Sequence, residues 1–145
     1  MITVAVDAMG GDHAPQVEVA GSLEALRQQK VRILLVGQEH RIRQHLPAKD
    51  AHGILSRLEI VHADEVVSMD DAASAALRRK KNSSLRIAAK LVREGQADGL
   101  VSAGNTGAVM ATAMLVIGSL KTWIVRRWRR SVPAPPSLFV WSKSA

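Results

Sequence analysis

The 145 residues amount to one domain or to a portion of a larger one. Hydrophobic residues make up 47% and charged residues 23%, as in a packed globular chain, and the lack of cysteine excludes disulfides, thiol nucleophiles and cysteine-ligated metals. The formal charge of +7 divides unevenly: residues 121–145 hold six Lys/Arg and no acid, leaving fourteen bases against thirteen acids in residues 1–120, too balanced for a nucleic-acid surface.

Ile2-Thr3-Val4-Ala5-Val6 is a short β-branched run closed by Asp7 and Gly10-Gly11, which predicts a buried first strand ending in a turn. Gln16 to Lys30 reads as a helix with Val17, Ala20, Leu23 and Leu26 on its apolar face. Val31 to Val36 reads as a second strand ending at Gly37, and Glu39 to Leu46 as a helix stopped before Pro47. Leu58 to Ala63 follows as a third strand and Asp70 to Arg79 as an Ala-rich helix. Asn82-Ser83-Ser84 can cap another helix, with Leu85, Ala88, Ala89 and Val92 near one face and a stop at Gly95. Leu100 to Ala103 is a fourth strand, and Asn105 or Thr106 starts a helix through Gly118. Strands alternate with helices and are continuously apolar, the pattern of an α/β fold with a parallel sheet covered by helices.

Met1–Met9 lacks a basic start and Asp7 and Asp12 interrupt it, so no secretory signal is expected and the location is read as cytoplasmic. Gly99 to Leu120 has no charge and is long enough to span a membrane. Its glycines and polar residues, with a Gly-Asn-Thr-Gly turn, favour a buried strand followed by a core helix.

After Leu120 the character changes. All three Trp, the only Phe and three of the five prolines lie there, among basic residues and with no strand or helix period. A basic, Trp-bearing tail can bind anionic membrane or RNA. A frame change near Lys121 explains it more plainly. Trp has one codon, and Thr122–Arg130 can be written ACG TGG ATC GTC CGG CGC TGG CGG CGG. Read from the third base, those letters give Val-Asp-Arg-Pro-Ala-Leu-Ala-Ala, a string at home in an α/β protein. The expected organisation is an α/β portion over residues 1–120 and an aberrant tail over residues 121–145.

Three constellations carry chemistry. Asp7-Ala8-Met9-Gly10-Gly11-Asp12-His13-Ala14-Pro15 leaves the first strand at the carboxyl edge of the sheet, where ligands bind in open α/β folds. Gly10 and Gly11 let the backbone approach a ligand, Asp7 and Asp12 can flank the site, and His13 can move a proton. The same residues also suit a tight turn with capping Asp residues. Ser102-Ala103-Gly104-Asn105-Thr106-Gly107 leaves another strand at the same edge and starts a helix, offering main-chain N–H groups and hydroxyls to phosphate. Helix caps use the same residue types, and no Lys follows the last glycine as a Walker loop requires. Arg78-Arg79-Lys80-Lys81-Asn82-Ser83-Ser84 sets four cations before a helix cap, either a receptor for phosphate or an acidic partner or a solvated charge run. His40, His45, His52 and His62 have no metal-like spacing with acids, so no metal is expected.

The stretches Val-Asp-Ala-Met-Gly-Gly-Asp-His-Ala-Pro (6–15), Leu-Arg-Arg-Lys-Lys-Asn-Ser-Ser (77–84) and Val-Ser-Ala-Gly-Asn-Thr-Gly-Ala (101–108), in this order and spacing, closely resemble the phosphate acyltransferase (PlsX) family of bacterial phospholipid synthesis. The resemblance covers about residues 1–120 and implies an α/β/α sandwich like that of phosphotransacetylase and isocitrate dehydrogenase, here truncated. It implies conversion of acyl-[acyl carrier protein] and inorganic phosphate into acyl phosphate and free carrier protein, without a cofactor. It implies as partners the acidic carrier protein, a second copy in a homodimer, the inner membrane face and a downstream glycerol-3-phosphate acyltransferase. On this basis Asp7, Asp12, His13 and Asn105 are the candidate catalytic residues. Gly10, Gly11, Lys80, Lys81, Ser102, Gly104, Thr106 and Gly107 are the candidates for binding phosphate and substrate. The family chain is more than twice as long, which implies an inactive fragment with an unpaired sheet edge. A non-catalytic phosphate- or nucleotide-binding α/β module is the alternative, and a membrane anchor through residues 99–120 a third reading.

Overall fold

A computed structural model describes residues 1–50, 53–118, 123–127 and 139–143. Strand β1 (Ile2–Asp7) leads to helix α1 (Gln16–Gln28), then β2 (Val31–Gly37) and the short α2 (Glu39–Arg43). After a 3-10 turn at Leu55–Arg57 come β3 (Leu58–His62), α3 (Ala73–Arg79), α4 (Ser84–Arg93) and β4 (Gly99–Ser102). Helix α5 (Thr106–Thr112) runs on as a π turn over Ala113–Ile117. Strands β5 (Trp123–Arg127) and β6 (Phe139–Lys143) complete one sheet of order β3-β2-β1-β4-β6-β5.

The first four strands are parallel, with Val4 opposite both Ile33 and Gly99, so β1 is central between β2 and β4. Strand β2 is buried from Ile33 to Gly37 and feeds both faces of the sheet. Ile33 and Leu35 pack with Val19, Leu23, Leu26 and Ile42 of α1 and α2. Leu34 and Val36 pack with Leu85, Ala88, Ala89 and Val92 of α4 and with Ala108 and Val109 of α5. Two apolar layers around one sheet make a truncated α/β/α sandwich. Each fully buried Leu or Ile contributes about 1.5–3 kcal/mol to it.

Several sequence expectations are corrected. The inward face of α1 is Val19, Ser22, Leu23 and Leu26, while Val17 is 56% exposed. Ala20 is exposed too, because the contact stripe is turned by the packing of Val19 and Leu26 onto β2. Helix α1 stops at Gln28, where Gln29 turns extended and Arg57 donates to the carbonyls of Leu26 (2.5 Å), Gln29 (2.9 Å) and Val31 (3.1 Å), a cationic cap on the helix end. Helix α2 ends at Arg43 and relaxes into turns before Pro47. Helix α3 begins at Ala73, not Asp70, because the Asp71 carboxylate accepts the Ser68 N–H (2.7 Å) and holds a turn there. Strand β1 is only partly buried, with Ile2 62% exposed and Ala5 and Asp7 inside.

The Ser83 cap of α4 and the four predicted buried residues of that helix are where the sequence put them. Among the described residues no helix is long and apolar enough to cross a membrane; the stretch from Gly99 is a strand, a turn and the helix α5, with residues 119–120 outside the described residues. The edge of β4 is not left unpaired: β6 runs antiparallel along it, with Gly99 opposite Ser142 and Ser102 opposite Phe139. Lys121, Trp128 and Pro133 to Pro136 lie outside the described residues.

Candidate functional site

Asp7 closes β1 at the carboxyl edge and is 3% exposed. Three donors converge on its carboxylate. The Ser84 hydroxyl (2.6 Å) and the Met9 N–H (3.2 Å) reach Oδ1, and the Ser102 hydroxyl (2.8 Å) reaches Oδ2. Ser84 and Ser102 are each 1% exposed. Burial pushes the Asp7 carboxyl above the ordinary carboxylate range, against the pull of the Ser84, Ser102 and Met9 hydrogen bonds. One buried carboxylate thus joins β1, the first turn of α4 and the end of β4, where the three sequence constellations come from.

In front of this knot the two glycine turns touch. A Cβ on Gly10 would strike Asp7 Oδ2 and stand 2.7 Å from Ser102 Oγ. A Cβ on Gly104 would stand 3.1 Å from the Gly10 Cα. Gly104 needs glycine because its backbone packs on that of Gly10, and Gly10 because the buried Asp7 and Ser102 side chains fill the space a Cβ would take. A Cβ on Gly11 would strike Glu18 Oε1 and come within 3.7 Å of the Ala103 side chain, so Gly11 also lies on the seam. The Ser102 hydroxyl, while donating to Asp7, accepts the Gly104 N–H (3.2 Å) and sets the path of the second turn.

Asn105 caps α5: Oδ1 accepts the Ala108 N–H (3.0 Å), and Nδ2 donates to the carbonyls of Met69 and Asp71 (2.9 Å each). Both amide hydrogens therefore hold the 69–71 loop. Lys80 clamps the same loop from the other direction, donating to the Val66 carbonyl (2.8 Å) and to Asp71 Oδ2 (2.5 Å). The Lys80 ammonium holds the Asp71 carboxyl below the usual range, helped by the Ser68 N–H. Lys80 reaches the seam only through Asp71 and Asn105. Lys81 is exposed and makes no such contact among the described residues.

Asp12 and His13 are exposed on the first turn and do not join the Asp7 knot. Thr106 and Gly107 are exposed at the start of α5. Among the described residues the main-chain N–H groups of Gly11, Asn105, Thr106 and Gly107 meet no acceptor. No group of three His, Asp or Glu among the described residues converges to hold a metal ion. Sequence reasoning missed three participants. Ser84 carries only a cap signature, Asp71 has no distinguishing pattern, and Glu18 stands out only as an acid in the first turn of the helix after Gly-Gly.

The geometry describes an α/β protein whose strand-to-helix turns gather at one sheet edge around a buried Asp–Ser knot. The family model described as "Fatty acid synthesis protein" matches residues 2–128, and the chain belongs to that family, the PlsX family of phosphate acyltransferases. It is 55% identical over 119 residues to a phosphate acyltransferase of Koribacter versatilis (strain Ellin345), covering 82% of this chain and 33% of the relative. A phosphate acyltransferase of Coxiella burnetii (strain Dugway 5J108-111) is 53% identical over 119 residues, covering 81% and 35%. One of Halorhodospira halophila (strain DSM 244 / SL1) is 52% identical over 120 residues, covering 82% and 35%. The chain thus spans about a third of the length of the curated relatives it matches.

Proposed function

We propose that the seam between Gly10-Gly11 and Gly104–Gly107 is the phosphate subsite of an acyltransferase that forms acyl phosphate from acyl-[acyl carrier protein] and inorganic phosphate. The contact between the Gly10 and Gly104 backbones carries this reading, because it sets the unpaired N–H groups of two turns at one rim. Amides fixed in that way bind an anion with no reorganisation when charge develops. A phosphate oxygen attacks the thioester carbonyl, and the tetrahedral oxyanion collapses with loss of the carrier-protein thiolate, which takes up a proton. Positioning and oxyanion stabilisation suffice, and the enzyme contributes no covalent nucleophile.

In this reading Asp7 is a positioning residue, since its carboxylate is enclosed by Ser84, Ser102 and Met9. Asn105 and Lys80 act in the same manner on the 69–71 loop. Gly11, Asn105, Thr106 and Gly107 offer main-chain N–H groups to the anion, Gly10 and Gly104 let the two turns approach it, and Ser102 sets the second turn. Asp12 and His13 stand at the rim, where the acyl thioester arrives. Lys81, an exposed cation, meets the acidic carrier protein. The enzyme acts at the cytoplasmic membrane face, as a homodimer, and delivers acyl phosphate to a glycerol-3-phosphate acyltransferase. Residues 121–145 are written in a shifted frame, a reading supported by the abrupt gathering of Trp, Pro and Lys/Arg there without a single acid, and the 145-residue chain alone has no acyl-transfer activity.

The test is phosphate-dependent release of carrier protein from acyl carrier protein. A protein with the frame restored at codon 121 is expected to turn over, and the 145-residue chain is not. Phosphate binding without thioester cleavage by the restored protein would instead assign a non-catalytic binding module. The gene sequence around codon 121 checks the frame change: an early stop in the alternative frame would refute it.

A further inference from the structure

Glu18 stands in the first turn of α1 with its carboxylate folded over the Gly11 backbone, close enough that a Cβ there would strike Oε1. The other oxygen, Oε2, is buried and has no hydrogen-bond partner among the described residues. The Gly11 position also faces Ala103, so this carboxyl lies where the two glycine turns meet. A buried carboxylate oxygen without a donor is costly when ionised. A neutral carboxyl instead has an O–H in need of an acceptor, and an anion in the seam is one.

We propose that Glu18 is the proton-carrying residue of the anion site: in its neutral form it donates its O–H to an oxygen of bound phosphate, so that the anion enters together with one proton. The proposal rests on the phosphate reading of the seam. The proton comes from solvent and stays on the Glu18 carboxyl, and no covalent bond is made or broken. Burial raises the Glu18 carboxyl; its own backbone N–H opposes this, the Asp7 charge at the end of β1 adds to it, and His13 on the intervening turn opposes it. Of the other charged groups near this turn, Arg41 of α2 binds the Ala14 carbonyl (3.1 Å), and Asp12 is exposed to solvent. A bound anion adds to the Asp7 effect and favours the neutral carboxyl further.

The experiment is calorimetric titration of the 145-residue chain with sulfate and with inorganic phosphate, between about pH 5 and pH 8, in two buffers of different ionisation enthalpy. Sulfate keeps a constant charge over this range, so its pH dependence reports the protein. The expected result is uptake of close to one proton with sulfate, and an affinity that falls about tenfold per pH unit above the Glu18 titration. Glu18→Gln is expected to bind sulfate with that slope removed. Sulfate binding to the native chain without proton uptake overturns the proposal and leaves the phosphate reading intact. So does a slope that persists in Glu18→Gln. If neither anion binds, the phosphate reading fails and this proposal falls with it. The native-chain measurement needs no variant, so misfolding of Glu18→Gln does not remove the test.

Discussion

Gly10 and Gly21 show how position decides what a glycine does. A Cβ on Gly10 meets Asp7 and Ser102, both buried and bonded to each other, so neither can yield cheaply. Gly10→Ala is expected to destabilise the chain by roughly 1–3 kcal/mol. A Cβ on Gly21, in α1, meets nothing within 4 Å, and Gly21→Ala is expected to stabilise by about 0.5–1 kcal/mol. Urea denaturation of the two variants checks the pair, and a gain from both would refute the close contact at Gly10. Asp7 adds a dependence on pH. Its folded carboxyl is raised by burial above the ordinary 3.8, so the folded chain binds this proton more readily than the unfolded one. That contribution is complete below the ordinary value and is lost as pH rises through the raised folded value. Stability of the native chain relative to Asp7→Asn should therefore decline as pH rises from about 4, in a urea series over pH.

The clearest element-level device is the loop between β3 and α3, held by Asn105 from one direction and Lys80 from the other. Asn105→Ala removes the α5 cap and the donors to Met69 and Asp71, at an expected cost of about 1–2 kcal/mol in urea denaturation. Asn105→Asp keeps the cap but not the donors. Hydrogen exchange should then rise at residues 69–71 while α5 stays protected; equal loss at both would mean that cap and clamp are one unit. Asp71 responds to acid in the opposite sense to Asp7. Its folded carboxyl is depressed by Lys80 and Ser68, so its contribution is present above the ordinary 3.8 and is lost as pH falls through the depressed value. Among the elements, α4 was the most legible in the sequence, because Ser83, the apolar spacing from Leu85 to Val92 and Gly95 all agree. The start of α3 is not legible in the sequence, because the turn before it depends on the contacts of Asp71 with Ser68 and Lys80, neither of which has a local signature.

For the whole molecule, the parallel core leaves β4 as a strand that requires a neighbour, and β6 supplies one. Ile124-Val125 and Phe139-Val140-Trp141 are strong strand formers, so this segment can pair along the edge that β4 would otherwise leave open. Ending the chain at Gly118 uncovers that edge. Association beyond the state of the 145-residue chain is then expected in sedimentation velocity, and unchanged sedimentation would show that the edge needs no cover. The alternation of strands and helices, the parallel sheet and the two glycine turns at its carboxyl edge were determined by the sequence alone, because apolar period and turn residues act over a few neighbours. Only the tertiary structure decided that Asp7, Ser84 and Ser102 share one buried knot, that Asn105 and Lys80 grip a common loop, and that Glu18 leans over Gly11. Those contacts join residues far apart in the chain, and which donor meets which acceptor depends on how the helices settle onto the sheet.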